Sequence, residues 1–72
     1  MEREKVIMEM IRRANSLLKS WNRDLFDSIW TMCIDWNREH EDDEIFMCEY
    51  QSDDSEYVNG FVIEDDYWVF EF

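Results

Sequence analysis

The side chains in this sequence that could do chemistry are mostly carboxylates, and they come in three runs. These are Glu41-Asp42-Asp43-Glu44, then Asp53, Asp54 and Glu56, then Glu64-Asp65-Asp66. Such runs could bind cations, supply an acid–base pair, or display negative charge to a cationic partner. The first use has little support, because Asp53-Asp54-Ser55-Glu56 lacks the spacing and the glycine of an EF-hand loop. A zinc site would need more than Cys33, Cys48 and the lone His40, which show no CxxC spacing. The second use needs a cleft between two carboxylates, and 72 residues leave little room for one. His40, beside Glu39 and Glu41, could pair with a carboxylate as a base. Its position reads more simply as a solvated helix end. With Gly60 the only glycine, a phosphate-cradling loop is ruled out. No catalytic residue, cofactor or metal is expected, and the chain is read as a non-enzyme.

Charge display is left, and the acids are distributed in a way that fits it. The chain has 19 acidic and 7 basic residues, a net charge of −12. All seven cations lie at Arg38 or earlier, against six acids, so the first 38 residues sum to +1. From Glu39 onward there are 13 acids and no lysine or arginine. Self-repulsion on this scale should destabilise a compact state. Solubility would account for acidity in general, but not for the complete absence of cations from one half. Direct nucleic-acid binding is excluded, because the backbone would be repelled and the N-terminal cations are interleaved with acids.

The rest of the composition bounds the fold. Hydrophobic residues make up 46% of the chain and aromatics 17%, which separates it from low-hydrophobicity disordered sequences. Large rings let one short domain, residues 1–72, bury a core. No apolar run approaches the roughly 18 residues that a membrane span needs. Met1–Lys5 runs directly into an amphipathic pattern without a signal-peptide signature, so a cytoplasmic protein is expected. Cys33 and Cys48 each sit among large apolar residues and are expected as buried, reduced thiols.

The elements that must position the acids follow from periodicity. Ile7, Met10, Ile11, Ala14, Leu17, Leu18 and Trp21 recur at helical spacing and predict a helix over about residues 2–19, with Glu9 and Arg13 paired four apart. Ser20 or Asn22 caps a second helix carrying Leu25, Phe26, Ile29, Trp30, Cys33, Ile34 and Trp36, which fades near Arg38-Glu39-His40. The second half changes to strand-like runs: Ile45–Tyr50, Glu56–Ile63 and Tyr67–Phe72, with Glu64-Asp65-Asp66 as a turn. Asn59-Gly60 is either a hairpin turn or a bulge. The bulge is preferred, because a turn there would leave arms too short for the flanking strands.

The expected fold is α+β in the order ααβββ, with two N-terminal helices on one face of a three-stranded antiparallel sheet. Phe46, Phe61, Trp68, Phe70 and Phe72 should face the helices. Ile45, Met47, Val58, Val62, Tyr67 and Val69 should face away, as an apolar patch suited to a partner or a homodimer. Glu49 and Glu71 mark the expected outer face. The acid runs then occupy loops, the first and third at one end of the sheet and the second at the other.

Duplex DNA carries one phosphate charge about every 3.4 Å along each strand, and residues along a β-strand advance about 3.3 Å each. Carboxylates fixed at the corners of a sheet can therefore approximate phosphate spacing. The expectation is an acidic inhibitor that occupies the cationic site of a basic nucleic-acid-binding protein. Its contact residues would be Glu41, Asp42, Asp43, Glu44, Asp53, Asp54, Glu56, Glu64, Asp65 and Asp66. In size, charge and lack of catalytic residues the sequence is similar to the compact acidic anti-restriction and anti-CRISPR proteins of phages; the likeness is one of composition and carries no motif. An immunity protein against a basic nuclease, or a small acidic secretion chaperone or adaptor, is the alternative.

Overall fold

A computed structural model describes residues 2–51 and 58–70. Its order is ααβββ, as the change of period predicts. Helix α1 spans Glu2–Lys19 and α2 spans Arg23–Glu39. Strands β1 (Met47–Tyr50), β2 (Gly60–Ile63) and β3 (Asp66–Val69) form an antiparallel meander in the order β1-β2-β3.

Asn22 caps α2. Its backbone is extended, and its side-chain oxygen accepts from Leu25 N at 3.1 Å, which satisfies one of the unpaired N–H groups of the first turn. The predicted Glu9–Arg13 pair forms at 3.1 Å, and Arg12 joins it through two further guanidinium bonds to Glu9. These bonds hold the Glu9 carboxyl down from 4.5 to about 2.

The core lies between the helices and one face of the sheet. Met10, Ala14 and Leu17 come from α1, and Phe26, Ile29, Cys33 and Trp36 from α2. Ile45, Val58, Phe61, Ile63, Trp68 and Phe70 come from the sheet half. Aromatic packing joins the layers: Phe61 stands edge-on to Phe26 at 5.3 Å and stacks with Trp68 at 5.2 Å. The Trp68 indole N–H donates to Asn15 Oδ1 at 2.9 Å, tying β3 to α1.

The face expected for β1 is inverted. Ile45 is buried and Met47 packs against the core, whereas Phe46, Cys48 and Tyr50 turn outward; Val58, also expected outside, is buried for a separate reason, the extra residue at Asn59-Gly60 that shifts the alternation ahead of β2. The cause of the β1 inversion is Asn37, near the end of α2. Its amide accepts from Ile45 N at 2.7 Å and donates to Ile45 O at 2.9 Å, pairing with that residue as a strand neighbour would. This draws Ile45 into the core, and the two-residue alternation of a strand then sends Phe46 out. Glu49 is correspondingly not an outer-face residue. It lies opposite inward-facing Phe61 and remains exposed at the sheet edge. Cys48 is an exposed thiol on the outer face rather than a buried one, while Cys33 is buried as expected. Burial pushes the Cys33 thiol upward. Phe72 and Glu71 lie outside the described residues.

Asn59-Gly60 is not a hairpin turn. Neither residue has positive φ, which a type I′ turn requires at both centres. Asn59 N donates to Tyr50 O at 2.8 Å, and Gly60 is also the register partner of Tyr50. Two residues thus oppose one, the arrangement of a bulge at the mouth of β2. A Cβ on Gly60 would collide with the Trp68 carbonyl oxygen, so the close approach of β3 requires glycine here. The part of the predicted middle strand before Val58 lies outside the described residues.

Candidate functional site

The first and third acid runs meet at one end of the sheet. The loop holding Glu41–Glu44 leaves α2 and is fixed by that helix's last turns. The Trp36 indole N–H donates to Asp43 O at 2.8 Å, and Asn37 holds Ile45 immediately after the loop. His40 ends the helix with its ring stacked on Trp36 at 3.5 Å and its Nδ1 at 3.0 Å from Trp36 O. It is therefore a half-buried structural residue and not the solvated histidine expected.

The third run forms the β2–β3 turn. Ile63 and Asp66 are register partners, so Glu64 and Asp65 make a two-residue connection and Asp66 already belongs to β3. Glu64 N donates to Phe46 O at 2.9 Å, which seats the turn against the start of β1. Glu64 has φ of +54°, a left-handed conformation that costs a residue with a Cβ about 1–2 kcal/mol.

Arg3, in the first turn of α1, links the two runs. Its guanidinium lies 3.1 Å from the Asp43 carboxylate and donates to Glu44 O at 2.8 Å. It also bonds the Glu64 carboxylate. One cation from the helical half thus holds together two segments of the acidic half. Glu41, Asp42, Glu44, Asp65 and Asp66 are exposed around this clamp, Asp43 is exposed with its carboxylate paired, and Glu64 is half-buried. These seven carboxylates against one guanidinium leave the end strongly negative. Among the described residues no group of three His, Cys, Asp or Glu side chains converges as metal ligands.

The second run, Asp53, Asp54 and Glu56, lies outside the described residues. Of the residues that position the site, Trp36 was expected only as part of the apolar stripe of α2, and Arg3 and Asn37 carried no sequence signal for this role. Arg3 is 40 positions from Asp43 and 61 from Glu64, and no local pattern signals such a contact.

Comparison with family models, with curated proteins and with solved structures finds no match for this chain. No helix among the described residues is long and apolar enough to cross a membrane.

Proposed function

We propose that this protein is an acidic nucleic-acid mimic, an inhibitor that places its carboxylate-rich end in the cationic site of a DNA- or RNA-binding protein. The supporting observation is the convergence of Glu41–Glu44 and Glu64–Asp66 on one end of the sheet, joined by the Arg3 guanidinium. The acid loop is anchored by Trp36 and Asn37 through bonds of 2.7–2.9 Å. An anchored array loses less entropy on binding than a flexible acidic tail would.

The partner is a basic protein or complex of the cytoplasm whose own ligand is a polyphosphate. Electrostatic complementarity speeds the encounter and makes it salt-sensitive. The role proposed with it is anti-defence of the phage type, the bound protein being a nuclease or its DNA-recognition subunit; its support is the likeness of size, charge and composition to such proteins. No chemistry is performed on the partner; occupancy of its site is the whole mechanism.

Affinity capture from a bacterial lysate, with the bound protein identified by mass spectrometry, tests this reading. Added duplex DNA or guide RNA should displace the captured protein. Retention at saturating nucleic acid would count against occupancy of a nucleic-acid site.

A further inference from the structure

A basic partner seated on the carboxylate end meets a second feature there, the open edge of β3. In the order β1-β2-β3, this strand has no neighbour on its far side. Ile63 and Asp66 pair across the turn, and Phe70 N donates to Asn59 O at 2.8 Å, so Asp66, Trp68 and Phe70 turn their main-chain groups toward β2. Tyr67 and Val69 turn theirs away. Among the described residues nothing bonds these two N–H and two C=O groups, and the two residues are 72 and 66% exposed. Beside the edge, an open groove of about 590 Å³ separates β3 from α1 and is lined by Ile11, Leu18, Asp65, Asp66 and Trp68. We propose that an extended segment of the basic partner adds to β3 as a fourth strand, with a lysine or arginine beside Asp66 and an apolar side chain, two residues away, in the groove at Trp68 and Leu18. The proposal rests on the reading of the acid end as the seat of a basic protein, and names what that protein presents.

The backbone selects the form of the occupant. Donors and acceptors that repeat at every second residue, about 6.6 Å apart, match the edge of another β-strand. Peptides added to a sheet edge take affinity from main-chain bonds and specificity from pockets for alternate side chains. Every second side chain of the added strand falls on the helix side of the sheet, where its neighbours on β3 are Asp66 and Trp68. Asp65 and Asp66 are exposed and form no ion pair among the described residues. A cross-strand cation is favourable at Asp66, and a like charge there is unfavourable. Beside Trp68 the added side chain meets Ile11 and Leu18, the latter 53% exposed, so it is apolar. Past Leu18 the groove runs on to Lys19, which puts the partner's cation at the Asp66 end and a neutral residue at the other.

Charge decides against a second copy. All seven lysines and arginines lie at Arg38 or earlier, so no strand of this chain offers a cation to Asp66. Pairing edge to edge would instead bring together two sheet halves of 13 acids each.

NMR titration of the isotope-labelled full chain with the capped hexapeptide Thr-Arg-Thr-Val-Thr-Val, and with the same residues in reverse order, tests the proposal. One of the two should bind with a dissociation constant below about 1 mM and slow amide exchange at Tyr67 and Val69 by about tenfold or more. A strand added to an edge has one bonded side, so N-methylating alternate residues of the peptide should weaken binding about tenfold in one frame and spare it in the other. Leu18→Lys, at an exposed helix position, should keep the far-UV spectrum and weaken the peptide about fivefold or more. Val69→Pro deletes one open donor where an edge strand tolerates proline, and should do the same; Leu18→Lys decides if that variant does not fold. No change at Tyr67 and Val69 up to about 5 mM peptide overturns the proposal. Binding that ignores both N-methylation and Leu18→Lys, with shifts confined to Glu41, Asp42 and Asp65, is plain charge attraction; it overturns strand addition and leaves the mimicry reading standing. Protection of Tyr67 and Val69 that grows with protein concentration in the absence of peptide would give the edge to a second copy and also overturn the proposal. The mimicry reading is judged separately, by nucleic-acid competition for the captured target.

Discussion

Replacing Asn37 with alanine tests how the acid loop is held. The substitution removes the bond from Asn37 Nδ2 to Ile45 O at 2.9 Å and the one from Ile45 N to Asn37 Oδ1 at 2.7 Å. Ile45 O keeps the Cys33 thiol as a donor at 3.4 Å, a weak bond. Ile45 N has no second acceptor among the described residues, and Ile45 is 2% exposed, so water cannot readily serve it. Stranding that N–H costs about 1–3 kcal/mol and losing the bond to Ile45 O about 1 kcal/mol more, for an overall loss of about 2–4 kcal/mol. For a domain of this size each kcal/mol moves the melting temperature by roughly 4–8 °C, so a drop of about 10–30 °C is expected. Thermal unfolding followed by far-UV circular dichroism reads the drop, and amide hydrogen exchange should show Ile45 losing its protection. A melting temperature within about 3 °C of wild type, less than 1 kcal/mol, would refute the role given to Asn37 in setting the phase of β1.

Three further outcomes are expected. Gly60→Ala forces a Cβ against the Trp68 carbonyl, so it should lower stability by about 1–3 kcal/mol in denaturant unfolding. An NMR titration should place the Glu9 carboxyl midpoint near 2 rather than 4.5; because its folded value is the lower one, its stabilising effect is complete above 4.5 and is lost as pH falls toward 2, where Glu9→Gln and wild type should converge. In the native monomer a thiol reagent should modify Cys48 rapidly, while Cys33, buried and with its thiol pushed upward, should react only on unfolding.

The helices were legible because each signal was local. The stripe from Ile7 to Leu17 and the cap at Asn22 fix their ends within a residue or two. The ααβββ order followed from the change of period near His40. The phase of β1 was not legible, because Ile45-Phe46-Met47-Cys48 is apolar throughout and alternation cannot choose between its faces. A side-chain amide on the preceding helix makes that choice. Despite the inversion, the outer face is apolar, since either phase exposes large hydrophobic residues. At the candidate site, the meander alone placed Glu41–Glu44 and Glu64–Asp66 at the same end. It gave no sign that Arg3 would join them, because a contact across 61 positions leaves no periodic trace. Arg3 also changes which acids are informative to neutralise. Asp43 and Glu64 contribute to the fold through the clamp, whereas Glu41, Asp42, Asp65 and Asp66 are exposed outside it.

Neutralising those outer carboxylates tests the mimicry most directly. Glu41→Gln/Asp42→Asn and Asp65→Asn/Asp66→Asn relieve repulsion in the free protein, so each pair should leave the melting temperature unchanged or raise it. At least one pair should weaken affinity for the captured target by tenfold or more, about 1.4 kcal/mol. Between about 0.05 and 0.5 M salt, wild-type affinity should fall more steeply than that of the weakened variant, which has lost screened interactions. Wild-type affinity and an unchanged salt slope in both variants would contradict the account and leave solubility as the reason for the charge.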